Sequence, residues 1–348
     1  MTQQVKFHPQ AILQKMVKQW KSNPLFSTGL VLLLMVILQT VALGFDFDSF
    51  GAWFNHWSRN WINLLRNNAN VGIVALGMAF VIISGGIDLA VGSTLAATGA
   101  LLMVCINAYP AGLLTSAGIS GVPAFAIGII ACLLLGAALG GVSGVLIAKS
   151  KLPAFIATLG MMKICRSVTQ QMMQTTAVKV PSAFLAISNT KIGGQVILPI
   201  IYWLVIALVL HIISKKTAFG RHVFAIGSNE RTAKLSGINV DRVKTLVYVL
   251  SGFLVSIASV IQIARIGSMD YASAGSGYEM DAIAAVVVGG TSMSGGKGSI
   301  IGTVLGMLII AVMNNLLNLI GVPPFLREAF KGFIVIAAVL LQKKETNS

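Results

Sequence analysis

Long runs of apolar residues, separated by short polar segments, repeat along nearly the whole chain from Leu25 to Leu341. A helix that crosses a bilayer needs about 20 mostly apolar residues, and ten stretches approach this length. They cover residues 25–44, 64–83, 88–108, 124–148, 153–172, 195–214, 243–265, 279–293, 298–319 and 326–342. The pattern therefore predicts an all-α, polytopic membrane protein with about ten transmembrane helices. Because 279–293 is short and rich in small residues, we expect it to be a re-entrant or broken helix.

The composition is typical of a membrane domain, and it changes how the positive net charge is interpreted. Hydrophobic residues make up 56% of the chain and charged residues only 10%, whereas soluble domains carry roughly 25% charged residues. The apolar runs are not interrupted by a soluble-looking block, so we expect one transmembrane domain over 25–342. A cytoplasmic segment, 1–24, would precede it and a cytoplasmic tail, 343–348, would follow. The net charge of +15 comes from clusters in short loops, which is typical of membrane topology and does not indicate nucleic-acid binding.

The distribution of Lys and Arg predicts the orientation of the domain. With the N-terminus placed in the cytoplasm, the outer segments clearly hold only Arg59, Lys179 and Lys191. The inner segments hold Lys6, Lys15, Lys18, Lys21, Lys149, Lys151, Lys215, Lys216, Arg221, Arg231, Lys234, Arg242, Lys244, Lys297, Lys343 and Lys344. Since basic residues accumulate on the cytoplasmic side, both termini are predicted to be cytoplasmic, which requires an even number of spans.

Two regions of the chain resemble each other weakly. In 75–97 an apolar run ends at Ser84-Gly85-Gly86 and another opens at Gly92-Ser93; in 284–306 a run ends at Gly289-Gly290 and another opens at Gly298-Ser299. Both glycine breaks face the cytoplasm in the predicted topology, so a repeat would be parallel. Paired glycine-interrupted segments can mark a transport pathway, but small residues also allow close helix packing, and both interpretations stay open.

The loop 215–242 is the longest predicted cytoplasmic segment, and it encodes a short capped helix. Asn229, or Ser228 before it, is a good N-cap, and Glu230 places a negative charge in the first turn. Ala233 continues the helix, and Gly237 is a typical C-terminal stop. A helix of about two turns is marginal alone in water, so it is expected to need a partner surface.

This loop resembles the coupling loop of the permease subunits of ATP-binding-cassette (ABC) importers. The matching positions are Glu230, Ala233 and Gly237, within 227–237, while Thr232 departs from the usual Ala. Three further stretches are similar to motifs of the family, in the same order. They are residues 84–93 (SGGIDLAVGS), 152–160 (LPAFIATLG) and 277–298, which includes GYEMDAIAA, GGTS and GGKG. The resemblance covers nearly all of the chain after about residue 60 and points to permeases of the ribose type.

The resemblance implies a bacterial inner-membrane subunit that moves a ribose-like monosaccharide. Its implied partners are an ATPase subunit docked on Gly227, Asn229, Glu230, Ala233 and Gly237, a periplasmic sugar-binding protein, and a second permease chain, more often identical than different. No cofactor is expected on this chain, with ATP and magnesium bound by the ATPase. An exporter, a branched-chain amino-acid permease and a self-powered secondary transporter stay open as alternatives. The last would want acidic residues deep in its spans, and here the acids lie near span ends.

Enzymatic activity is not predicted, and candidates for a pathway are few. The run 290–298 fails as a phosphate-binding loop, because Thr291 replaces its first Gly and Gly298 its Ser/Thr. No convergent nucleophile, acid–base or metal group is apparent. An uncharged sugar needs hydroxyl-pairing groups, and the spans offer Asn67, Asn70, Asp88, Ser93, Thr94, Asn314 and Asn315. For Asp88, an N-cap of a helix starting at Leu89 and a transport role are both open.

Overall fold

The computed structural model describes residues 24–45, 47–107, 112–173 and 180–346, and these ranges are built from helices. The helices are α1 (Pro24–Ala42), α2 (Phe50–Ile83), α3 (Val91–Ile106), α4 (Leu113–Ser116), α5 (Gly121–Ala148), α6 (Ala154–Met173), α7 (Ser182–Asn189), α8 (Leu198–Lys216), α9 (Ala218–Ser228), α10 (Glu230–Leu235), α11 (Val240–Ile266), α12 (Tyr278–Val288), α13 (Ile300–Leu319) and α14 (Pro324–Thr346). Outside these helices, one isolated bridge joins Ile192 and Gln195.

The predicted all-helical class is confirmed, and each of the ten predicted stretches contains a helix. Among the described residues, six helices (α1, α2, α5, α8, α11 and α13) are long and apolar enough to cross a membrane. The count of ten spans and the orientation stay predictions. Part of the charge evidence for that orientation, including Lys6 and Lys179, lies outside the described residues.

Two central helices, α2 and α11, contribute more buried apolar residues to the core than any other helix among the described residues. In their apolar windows 83% and 72% of the residues are buried, against 11% for α1. α11 packs backbone to backbone against α5: a Cβ on Gly140 would lie 2.1 Å from the carbonyl oxygen of Tyr248, and one on Gly252 would lie 2.1 Å from that of Gly136. Small residues allow such close approach between membrane helices, so glycines hold these two helices together.

The outer helices turn apolar side chains away from the protein. α1 exposes Leu34 and Val41, α5 exposes Leu134, and α8 exposes Leu204 and Leu208, each more than half accessible. Such faces are unfavourable in water and favourable in lipid. Together with the six long apolar helices, they indicate an integral, multi-pass membrane protein.

Two helices, α3 and α12, begin in the interior beside each other. Non-helical segments precede both, residues 84–90 and 267–277, and α12 has only 11 residues, about 17 Å at 1.5 Å per residue. The two starts are in backbone contact, since a Cβ on Gly92 would lie 2.1 Å from the carbonyl oxygen of Gly275. The 279–293 stretch contains a short helix, as predicted, and the break predicted at Ser84-Gly85-Gly86 extends to Ala90, so that α3 begins three residues later than the predicted stretch 88–108.

The two broken helices run in opposite directions along α11. Asp88 accepts a hydrogen bond from Ser251 (3.0 Å), and Leu95 accepts one from Ser259 (2.9 Å), so α3 runs toward the Ile266 end of α11. After α12 the chain reaches Gly296, whose N–H donates to the carbonyl of Ile83 at the end of α2 (2.9 Å). This contact lies toward the Val240 end of α11, because α2 and α11 are antiparallel.

The glycine breaks after α2 and α12 have the same local structure. The Gly86 N–H donates to the Val81 carbonyl, and the Thr291 N–H to the Val286 carbonyl. Both helices thus end in a Schellman motif, with Gly85 at φ +82° and Gly290 at φ +86°. The weak similarity found in the sequence corresponds to these shared helix ends, and a parallel repeat of larger units stays a prediction.

Candidate coupling site at the ends of α2, α9 and α12

The segment 215–242 contains two helices, of which the sequence predicted one. α9 begins after Thr217, whose hydroxyl accepts a hydrogen bond from the Gly220 N–H (3.2 Å), and it buries Val223 and Ile226. This helix was missed, although a Thr cap and apolar residues three and four apart, beginning at Phe219, are a helix signal. α9 therefore forms a packed base from which the next helix projects.

α10 is the short capped helix that the sequence predicted. The Asn229 side chain accepts a hydrogen bond from the Thr232 N–H (2.9 Å). At the other end, the Ile238 N–H donates to the Ala233 carbonyl (3.1 Å), and Gly237 has φ +82°. Since such a φ costs a non-glycine residue roughly 1–2 kcal/mol, the glycine is needed for this turn.

Most of the α10 surface is not covered by any of the residues that the structure describes. Of its six residues only Ala233 is buried, and Leu235 is 83% exposed. The helix is thus presented outward on a rigid base, which is the geometry that a docking element requires.

Gly227 joins this outward helix to the ends of the central helices. A Cβ on Gly227 would lie 1.8 Å from the carbonyl oxygen of Ile83 and 2.5 Å from the amide nitrogen of Gly296. Gly295, at φ +83°, lies close enough that its Cβ would be 2.9 Å from the Gly227 carbonyl oxygen and 3.1 Å from the Gly85 Cα. Three glycine-containing motifs that are far apart in the sequence therefore meet here.

Two ion pairs connect the same region to the start of α11. Glu230 of α10 pairs with Lys244 (2.5 Å), and Lys151, in the turn before α6, pairs with Asp241 (2.6 Å). Glu230 remains about half exposed and Lys244 about one-fifth exposed. Exposed pairs contribute only about 0–1 kcal/mol, so these contacts orient α10 and the α5–α6 turn more than they stabilise the fold.

A cavity of about 290 Å³ lies between these elements. Its lining residues are Ser84, Gly85, Gly86, Ile147, Lys151, Leu152, Pro153, Ala154, Glu230, Lys244 and Tyr248. The first and second sequence motifs and α10 thus border one space. Any movement of α10 changes the surroundings of the residues that follow α2 and precede α6.

The candidate pathway residues do not converge on one site. Asp88, Ser93 and Thr94 lie at the start of α3, whereas Asn67 and Asn70 lie in α2 and Asn314 and Asn315 near the end of α13. The last of these donates to Asn60 (2.9 Å), which is in the first third of α2. The seven candidate residues therefore form three separate groups at different levels of the molecule, and not one site.

Asp88 has a clear structural role, although not the cap that was one of its two interpretations. α3 begins at Val91, not at Leu89, and its N-cap residue Ala90 has no side-chain cap. The Asp88 carboxylate instead accepts hydrogen bonds from the Ala90 N–H (3.0 Å) and from the Ser251 hydroxyl (3.0 Å). It fixes the non-helical segment before α3 to α11.

The asparagines of α2 have different surroundings. Asn67 accepts a hydrogen bond from the Arg265 guanidinium (2.7 Å). Asn70, one turn further along, is fully buried, and neither of its side-chain amide atoms has a partner among the described residues. Ser93, by contrast, donates to the Ala90 carbonyl within its own turn (2.9 Å).

Comparison with known proteins gives consistent matches over most of the chain. A family model described as "Branched-chain amino acid transport system / permease component" matches residues 60–339. The ribose import permease protein RbsC of Escherichia coli K12 is 41% identical over 293 residues, 82% of this chain and 86% of its own. That of Bacillus subtilis 168 is 40% identical over 296 residues (82% and 85%). The xylose transport system permease protein XylH of E. coli K12 is 32% identical over 372 residues (89% and 90%). No solved structure matches significantly.

Proposed function

Because the chain belongs to the family of branched-chain amino acid transport system permease components, we propose that it is the membrane-spanning subunit of a bacterial ABC importer for a ribose-like monosaccharide. The observation that carries the sugar assignment is the 41% identity to a ribose import permease over 86% of that protein. A xylose permease is also similar over nearly its whole length. The branched-chain amino-acid alternative has only the family description in its favour.

The power source in this proposal is a separate ATPase subunit, which holds ATP and magnesium. The projecting helix α10 supports this, together with the contact of Gly227, at the end of α9 beside it, with Ile83 and Gly296, because a docked partner that moves α10 and the end of α9 would act on the central helices. The ATPase-contacting residues are Glu230 and the exposed face after Asn229, with Gly227, Ala233 and Gly237 holding the helix in place. A periplasmic sugar-binding protein delivers the substrate, and a second copy of this chain completes the permease.

The topology in this proposal has ten spans in the inner membrane, with α10 and both termini in the cytoplasm. Reporter fusions after Lys151, after Gly220 and at the C-terminus should be active in the cytoplasm. Fusions near Ala111, Ser182 and Gly321 should be active in the periplasm, because the Lys and Arg clusters lie on the other side. A periplasmic C-terminus would contradict the even number of spans.

Uptake of radiolabelled pentoses tests the function itself. A strain without pentose importers, supplied with this permease, its ATPase and its binding protein, should accumulate ribose or xylose. Uptake should vanish with an ATPase that binds but does not hydrolyse ATP, and it should survive a protonophore while ATP is maintained. Leucine uptake under the same conditions would support the amino-acid alternative. Pentose uptake that follows the proton gradient with the ATPase inactive would instead support a secondary transporter.

A further inference from the structure

The beginning of α2 has one aromatic side. Phe50, Trp53, Phe54, Trp57 and Trp61 recur at spacings of three and four residues, which places them on one side of the helix. Neighbouring rings are in contact, with centroids 6.4 Å apart for Trp53 and Trp57 and 5.8 Å apart for Trp57 and Trp61. We call these five residues the aromatic face of α2. Only Trp61 lies within the region that the family model matches, so the family description does not account for this face.

The opposite side of the same part of α2 is polar. Asn55, His56 and Arg59 are exposed there, and their spacing places them away from the aromatic rings. On the aromatic face, Phe50 is 76% exposed and Phe54 is 50% exposed. Helical segments with aromatic residues on one side and polar, basic residues on the other are typical of the boundary between lipid and water.

The length of α2 places this segment at one surface of the membrane. α2 has 34 residues, about 51 Å at 1.5 Å per residue, whereas the hydrocarbon core of a bilayer is about 30 Å thick. Residues 64–83, one of the predicted spans, already cover about 30 Å. Because Ile83 lies against Gly227 at the base of α10, the aromatic face lies at the membrane surface opposite α10.

Contacts with two other helices indicate the same depth. Asn60 accepts hydrogen bonds from Gln39 of α1 (2.8 Å) and from Asn315 of α13 (2.9 Å). α1 ends three residues after Gln39, and α13 ends four residues after Asn315. Both helices are long and apolar enough to cross a membrane, so Asn60 lies at the level where two neighbouring spans end. The residues of α2 before Asn60 extend beyond that level.

The aromatic face continues the outward apolar surface of α1. The indole N–H of Trp57 donates to the Thr40 hydroxyl (3.1 Å), and that of Trp53 donates to the Gly44 carbonyl (3.1 Å). Val41, between these two acceptors, is 58% exposed and belongs to the outward surface of α1. Exposed apolar side chains are favourable in lipid and unfavourable in water. Lipid that covers the end of α1 therefore also reaches the exposed rings beside it.

We propose that the aromatic face of α2 is embedded in the leaflet opposite α10, among the phospholipid headgroups and the first acyl carbons. Aromatic side chains at this level anchor membrane helices. The anchored helix is the one whose other end contacts Gly227, so the lipid fixes the depth of α2 at the end far from α10. This anchor does not depend on which substrate the permease carries.

Spin labels on single introduced cysteines test this position in the assembled transporter, reconstituted in phospholipid nanodiscs. Phe54→Cys places the label on the aromatic face, and His56→Cys, on the polar side at nearly the same depth, is the matched control. Leu208→Cys on α8 and Leu235→Cys on α10 give the values for lipid and for water, since both positions are exposed. The native cysteines are buried, and the unmodified chain gives their background.

Collisions with oxygen, which concentrates in lipid, and with a water-soluble nickel chelate report the surroundings of each label. The oxygen-to-nickel ratio at position 54 should be several-fold higher than at position 56, and it should lie between the ratios at 208 and 235. A ratio at position 54 equal to that at 235 would place the face in water and overturn the proposed anchor. A label at position 54 that is shielded from both oxygen and nickel would overturn it as well, because protein would then cover the face.

Thermal stability in lipid gives a second measurement. The double variant Phe50→Ser, Phe54→Ser should lower the melting temperature of the permease in nanodiscs by several degrees, because two exposed rings lose their contacts with lipid. Asn55→Ser with His56→Ser, on the polar side, is the matched control and should leave the melting temperature unchanged. Equal melting temperatures for the two double variants would contradict anchoring by the aromatic face.

Discussion

Gly227→Ala is expected to reduce sugar uptake to less than about a tenth of the wild-type rate, while the permease still inserts in the membrane. The added Cβ would lie 1.8 Å from the Ile83 carbonyl oxygen, so α9 must move away from the end of α2. Overpacking of this kind costs typically about 1–3 kcal/mol, and here the cost falls on the contact between α9 and the central helices. Uptake and the amount of permease in membranes would be measured together.

Gly29→Ala is the matched control for this substitution. Gly29 is also a helix residue, in α1, but a Cβ there would meet none of the described residues within 4 Å. We therefore expect wild-type uptake from Gly29→Ala, and slightly greater helix stability because Ala is the better helix former. If Gly227→Ala transports as well as Gly29→Ala does, the contact between α9 and α2 has no part in coupling.

Glu230→Lys is expected to weaken co-purification of the ATPase and to abolish uptake. The substitution places an ammonium group opposite Lys244, which Glu230 contacts at 2.5 Å, and removes the favourable negative charge from the first turn of α10. Loss of a half-exposed ion pair alone amounts to only about 0–1 kcal/mol. A complete loss of uptake would therefore indicate that Glu230 also contacts the ATPase.

The charge-swapped double variant, Glu230→Lys with Lys244→Glu, separates these two roles. It restores an ion pair between α10 and α11 but leaves a positive charge on the exposed surface of α10. We expect it to insert normally and still to bind the ATPase weakly. Full recovery of both ATPase binding and uptake would contradict a contact with the ATPase and assign Glu230 a purely internal role.

The spans could be predicted where long apolar runs determine them. The predicted 298–319 and 124–148 differ from α13 and α5 by no more than three residues at either end. The break after α2 could be predicted from Ser84-Gly85-Gly86, but its extension to Ala90 could not, because Leu89 and Ala90 are as apolar as the residues of a helix. The non-helical course of 84–90 depends on the bond from Asp88 to Ser251, 163 positions away, and hydropathy carries no information about such contacts.

The candidate coupling site shows the same division between local and distant contacts. The caps of α10 are local, since Asn229 bonds three residues ahead and Gly237 acts within one turn, so residue types alone predicted them. The meeting of Gly227 with Ile83 and Gly296 is a tertiary contact, and the sequence showed only that each segment contains glycine. Asn70 is another such case: its position in an apolar run made it a pathway candidate, but its unpartnered, buried amide became apparent only in the structure.

The contact of Gly227 with Ile83 and Gly296 also determines how stiff the connection from α10 to the central helices is. Most contacts between helices are made by side chains, which can rotate about several bonds and so absorb small displacements. Here main-chain atoms touch directly, and peptide units are planar and nearly rigid. A displacement at the base of α10 would therefore be passed to α2 and to the 289–299 loop by main-chain contacts, and not through side chains that can change rotamer. The contact therefore makes a nearly rigid connection between the base of α10 and the central helices.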